Sequence, residues 1–206
     1  MTRRSRRRDP LRPTPGSPAA ETPPADPETV AREICLRLLT ATPRSRAQLA
    51  DALRRKNVPD EIAERVLGRF TDVGLIDDAA FSQAWVQSRH LGRGLARRAL
   101  AAELRQRGVA DETVTAAVET LHANQEETTA RELIARRLAG TRGLDPAKRL
   151  RRLVGVLARK GYPAELAFRV VREALAEEGG PEVATVLDEL GSDLPDEESA
   201  GPGDVA

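Results

Sequence analysis

The chain has 206 residues, with 33 Lys or Arg against 32 Asp or Glu and a net charge of +1. That balance conceals a segregation: residues 29–176 carry a net +9, residues 177–206 a net −10 with no Lys or Arg, and residues 1–28 a net +2 with six Arg and seven Pro. No run approaches the ~20 apolar residues of a membrane span, the N-terminal Arg cluster leads into Pro and Thr rather than an apolar stretch, and a lone cysteine excludes an internal disulfide.

These features predict an unsecreted, cytoplasmic protein whose basic body is folded and whose two ends, the Pro-rich residues 1–28 and the acidic tail 177–206, are disordered. Ala, Arg, Leu and Glu dominate the body, so the expected fold class is all-α. Asp26 followed by Pro27 reads as an N-cap and a first helical residue, opening a helix over 27–40. Cys35, among Ile34, Leu36 and Leu38, reads as a buried thiol in a reducing compartment. Helices over 45–56 and 60–73 complete a first unit, 29–77. Asp77 and Asp78 are candidate caps for a helix over 78–91, followed by 94–107 and 111–122 in a second unit, 78–123. The third unit, 124–176, has helices over 124–139, 146–160 and 164–177, with Asp145 and Pro146 repeating the cap-then-Pro order.

The units are tied together by a repeat. LRRKNVPDEI, LRQRGVADET and LARKGYPAEL begin at Leu53, Leu104 and Leu157, every 51 to 53 residues. In each, a leucine-bearing helix reaches a basic residue (Lys56, Arg107, Lys160), then Asn57, Gly108 or Gly161, then an apolar residue and an acidic helix start. Asn and Gly tolerate the left-handed conformation that closes a helix, and a cation in the last turn complements the helix dipole. Apolar stripes at helical spacing, such as Leu95, Ala99, Leu100 and Leu104 or Leu150, Leu153, Val154 and Leu157, are too narrow for a helix pair to bury alone. The three-helix units are therefore expected to stack into an elongated, curved array, a shape suited to a groove or a filament.

Nothing in the residues calls for catalysis or a cofactor. His90 and His122 have no second His or Cys at metal spacing, and Gly92 to Gly94 is too short for a phosphate loop and lacks its lysine. Phe81 and Trp85 share one helix face and, with Leu100 and Leu104, are expected in the core; the other reading of the aromatics is a base-stacking platform. Arg98 and Arg105, almost two turns apart, share a face whose equivalents are Arg54 in the first unit and Arg151 in the third, and Arg89, Arg93 and Arg97 flank the Gly92–Gly94 turn. With Arg107 they are the candidate contacts for a partner or for DNA. The opposing reading is a solvated face with ordinary ion pairs, and for Lys56, Arg107 and Lys160 the helix dipole already accounts for the charge.

The stretch GLIDDAAFSQAWVQSRHLGRGLARRALAAELRQRGV, from Gly74 to Val109, resembles the signature region of the RecX family. The residues that carry the resemblance are Gly74, Ile76, Asp77, Asp78, Phe81, Ala84, Trp85, Ser88, Arg89, Gly94, Arg98, Leu100, Glu103, Leu104, Arg107, Gly108 and Val109; Leu75 departs from it where the family often has an aromatic. The resemblance covers roughly residues 29–176. It implies a non-catalytic, monomeric regulator of recombination, DNA repair and the SOS response, which docks in the groove of a RecA recombinase filament on single-stranded DNA and restrains filament growth, ATP hydrolysis and strand exchange. Read from the residues alone, a non-specific DNA-binding helical repeat or a helical adaptor for another protein also fits the basic body.

Overall fold

The computed structural model describes residues 26–191, and within them the chain is helical from end to end, without a strand. Three helices form each unit: α1 (Pro27–Ala41), α2 (Arg46–Arg54) and α3 (Asp60–Asp72); α4 (Asp78–Arg93), α5 (Arg97–Gln106) and α6 (Asp111–Glu119); α7 (Ala123–Leu138), α8 (Pro146–Ala158) and α9 (Ala164–Gly191). The expected starts hold for local reasons. Asp26 accepts from the Thr29 amide at 3.2 Å ahead of Pro27, Asp77 from Ala80 at 2.8 Å, and Asp145 from Ala147 at 3.0 Å ahead of Pro146.

The repeated motif closes the second helix of each unit in the same way. Asn57, Gly108 and Gly161 have φ of 56°, 73° and 86°. The next amide, Val58, Val109 or Tyr162, donates back to the carbonyl of Leu53, Leu104 or Leu157 at 3.2, 3.3 and 3.2 Å, and each of these apolar residues is buried. This is a Schellman closure repeated three times, with its apolar follower acting as the peg that seats the turn on the core.

Each unit has its own core, rather than sharing apolar stripes with its neighbours as the sequence suggested. Leu49, Leu53, Leu67 and Phe70 anchor the first, Phe81, Leu100, Leu104 and Val114 the second, and Ile134, Leu153, Leu157 and Leu175 the third. The extensive helix packing lies within units, where the third helix closes over the first two. Adding that third helix is what lets a short unit bury its stripes. Even so, a unit as short as Pro27–Asp72 lies near the ~40–60 residues at which a lone core is marginal, so contacts between units matter to all three.

The last helix keeps close to its expected span of 164–177, up to a break at Gly180, where φ is 74° and ψ −172°; a second helical stretch then runs on to Gly191. Ahead of the break Glu178 accepts from Arg142 at 2.5 Å and from the largely buried Arg149, while beyond it Val183 packs against the third core. The opening residues of the acidic segment 177–206 thus belong to α9. Residues 1–25 and 192–206, which hold most of the two ends expected to be disordered, lie outside the described residues.

Candidate functional site

The units meet at two joints built on one plan. At the first, the amide of Arg46, first residue of α2, donates to Asp78 of the second unit at 2.8 Å, and the Ser45 hydroxyl donates to the Arg107 carbonyl at 2.6 Å. At the second, the amide of Arg97, first residue of α5, donates to Glu126 of the third unit at 2.8 Å, and the Ala96 amide donates to the Lys160 carbonyl at 2.9 Å. In both cases a carboxylate from the following unit caps a helix of the preceding one, and the turn of the following unit presses on that helix start. A Cβ on Gly108 would lie 2.4 Å from the Ala47 Cβ, and one on Gly161 would lie 2.5 Å from the Ala99 backbone nitrogen. Asn57, with no preceding unit to meet among the described residues, carries a side chain at the same place in the repeat.

The second joint has more connections. The Arg97 guanidinium donates to Glu126, a carboxylate only 2% exposed, at 2.6 Å. His90, buried at the end of α4, donates from Nδ1 to the Leu95 carbonyl at 2.9 Å and receives the Thr129 hydroxyl at Nε2, also at 2.9 Å; the carbonyl can only accept, which sets the tautomer. The Tyr162 hydroxyl donates to the Gly94 carbonyl at 3.2 Å and the Lys160 ammonium to the Arg93 carbonyl at 2.5 Å. Burial holds the Tyr162 hydroxyl well above its ordinary pKa, so it remains a proton donor.

Around this joint the cations gather. The guanidinium groups of Arg89 and Arg107 lie over the Trp85 ring at 4.1 and 3.7 Å from its centroid, and the indole nitrogen donates to Glu103 at 2.8 Å. Glu103 is also within 3.9 Å of Arg89 and 4.0 Å of Arg93. Desolvation and the neighbouring Arg89 and Arg93 charges outweigh Glu103 and lower the Arg107 pKa. Lys160 is lowered too, first by desolvation and then by Arg137, Arg136 and Arg93. Arg93, 61% exposed, belongs to both groups and links them into one surface: Arg89, Arg93 and Arg107 from the second unit with Arg136, Arg137 and Lys160 from the third. Glu103 and Glu132, the latter 3.9 Å from Arg136, are the carboxylates paired with its cations. Cations that depress one another in this way favour an anionic partner, with Arg suited to bidentate pairing with carboxylate or phosphate.

Of the sequence candidates, Arg89, Arg93 and Arg107 come together here. Arg97 instead forms the buried pair with Glu126, Arg105 bridges to Asp111 at 2.6 Å, and Arg54 pairs with Asp51 at 2.7 Å. Arg98 and Arg151 are exposed on α5 and α8. Phe81, Leu100 and Leu104 are buried as expected. Trp85 is only partly buried: one side packs on the second core, and two guanidinium groups cover its ring, leaving little of it for a base. Sequence reading missed Arg136 and Arg137, which stand on a different unit, and assigned Lys160 to the helix dipole. The run Arg136–Arg137 at the end of α7 was the available signal. Leu75, where the resemblance lapses, is half exposed. Among the described residues no helix is long and apolar enough to cross a membrane.

Family models for the first, second and third three-helix domains of RecX match residues 31–70, 77–118 and 125–171. The chain is 65% identical to the regulatory protein RecX of Streptomyces lividans over 157 residues, covering 76% of this chain and 84% of the relative. It is 62% identical to that of Thermobifida fusca over 164 residues, covering 80% and 89%. The crystal structure of RecX from Lactobacillus salivarius superposes with a TM-score of 0.68 at 15% identity, covering 72% of this chain and 97% of that one, which shows a common fold. Three matched domains in order, joined by a twice-used capping joint, place this chain in the RecX family.

Proposed function

We propose that the protein is a non-catalytic, cytoplasmic regulator of recombination and DNA repair. It binds as a monomer to the RecA filament on single-stranded DNA and restrains filament growth, ATP hydrolysis and strand exchange. Family membership supports the partner. The observation that carries the binding mode is the surface of Arg89, Arg93, Arg107, Arg136, Arg137 and Lys160, six cations from two units that run from the second joint, through Arg93, back along the second unit to Arg107. A joint fixed by a buried carboxylate, a histidine and a tyrosine presents those charges in a set geometry, which lowers the ordering cost of binding. Acidic side chains of the recombinase and phosphates of its DNA are the two anions such a surface would meet.

The test is a titration into RecA on single-stranded DNA, with ATP hydrolysis as readout. A filament regulator inhibits at concentrations below that of RecA, because one bound molecule affects many subunits. Inhibition that begins only when the DNA is coated, and that disappears when DNA is raised at constant RecA, would overturn this reading in favour of simple competition for DNA.

A further inference from the structure

The chain carries its own polyanion. Past Gly191, the sequence SDLPDEESAGPGDVA contains Asp193, Asp196, Glu197 and Glu198, all within seven residues of the end of α9, and no Lys or Arg. We propose that this acidic segment, residues 192–206, seats on the cation surface of the second joint and competes there with the anionic partner, so that the regulator is self-restrained. The proposal rests on the reading above only for its consequence; the contact itself is a property of the isolated chain.

Three observations carry it. The first is the surface: six cations against Glu103 and Glu132, with Arg93 lying between the Arg89 and Arg107 group on the Trp85 ring and the Lys160 ammonium that donates to its carbonyl, so that added carboxylates are favoured. The second is delivery. Glu177 and Glu178 of α9 line a groove with Arg131, Ala135 and Leu138 of α7, so α9 brings the chain to the same end of α7 that carries Arg136 and Arg137. The ion pairs of Glu178 with Arg142 and Arg149 hold it there, and the break at Gly180 then redirects the chain. The third is reach: fifteen residues extend to ~50 Å, at ~3.3–3.6 Å each, and the four nearest acids need only the first half of that length.

The experiment is paramagnetic relaxation enhancement on the full-length protein, with a nitroxide attached at Ser199→Cys. The native Cys35 is fully buried and its thiol is pushed up by desolvation, so labelling selects the new site. The expected result is loss of amide signal at Arg93, Arg136, Arg137 and Lys160, with little loss in the first unit. That loss should disappear when Asp193, Asp196, Glu197 and Glu198 are changed to Asn or Gln, and at high salt, where exposed charges are screened. Signal loss that is absent, spread evenly over the three units, or retained after the four acids are neutralised would overturn the proposal. Because RecA is absent from the measurement, failure here leaves the proposed function standing, and failure of the ATPase test leaves this contact standing.

Discussion

The two joints share a plan but differ in strength. The first relies on Asp78 capping Arg46, on Ser45 reaching the Arg107 carbonyl, and on the approach of Gly108 to Ala47. The second repeats the capping and the glycine approach, then adds the Arg97–Glu126 charge pair, the His90–Thr129 hydrogen bond, the Tyr162 tie to Gly94 and the Lys160 tie to Arg93. A repeat that reuses one contact can therefore be tied by many groups at one junction and by few at the next, and Arg93, Arg136, Arg137 and Lys160 gather beside the more heavily tied one. The difference teaches that one repeated contact can be reinforced selectively, and the proposed recognition surface lies beside the reinforced junction.

The largest expected effect comes from adding one methyl group at each turn. Gly161→Ala forces a Cβ against backbone at a left-handed φ and should destabilise the protein by roughly 2–5 kcal/mol, as measured by denaturant unfolding. Gly108→Ala meets a side-chain methyl instead, so Ala47→Gly should recover ~1–2 kcal/mol in a double-mutant cycle. Ala99→Gly should recover far less for Gly161→Ala, because the closest atom there is the backbone nitrogen. Equal rescue at both joints would show that the second is no more constrained than the first.

Next in size are the capping carboxylates. Glu126→Gln leaves the Arg97 guanidinium without its buried counter-charge and should reduce stability by about 1–3 kcal/mol, whereas Asp78→Asn weakens a cap without an ion pair and should cost about 0.5–1 kcal/mol. Hydrogen exchange should show the consequence locally, with protection lost at the start of α5 in the first variant and of α2 in the second. The smallest effect is on pH. Hydrogen bonds from Arg149 and then Arg142 hold the Glu178 carboxyl below the usual carboxylate range. A lowered folded-state pKa contributes stability that is present above the ordinary carboxylate pKa and is lost as pH falls through the folded value. Exchange protection over residues 174–180 should therefore fall on acidification at higher pH in wild type than the global unfolding does, and Glu178→Gln should abolish that separate step.

Most of the helical order was legible in the sequence, because it rests on local chemistry. Asp26–Pro27 and Asp145–Pro146 mark helix starts, and the Asn57, Gly108 and Gly161 turns are set by backbone φ. The helical stretch beyond the Gly180 break was not in the expected span of 164–177, because no local signal continues a helix through Gly179, Gly180 and Pro181. The site was only partly legible because parts of it are distant in sequence. Arg89, Arg93 and Arg107 are close in sequence, but Arg136, Arg137 and Lys160 join them only once the third unit is docked. Arg97 looked like a surface cation because its partner, Glu126, lies 29 residues away. Asp77 and Asp78 were both candidate caps for α4; Asp77 takes that place, leaving Asp78 to cap α2 of the unit before it.

The central claim is that the cations of the second joint are the partner-binding surface. It is tested most directly by filament binding of two charge-reversed proteins with matched melting temperatures. One carries Arg93→Glu, Arg136→Glu and Arg137→Glu; the other carries Arg54→Glu, Arg98→Glu and Arg151→Glu, candidates that the fold leaves outside the cluster. Binding would be measured to RecA assembled on single-stranded DNA with a slowly hydrolysed ATP analogue. The first protein should lose affinity by about tenfold or more, as expected when several charge contacts of ~0.5–1 kcal/mol each become repulsive, while the second should stay within about threefold of wild type. Full binding by the first protein with loss in the second would contradict the account.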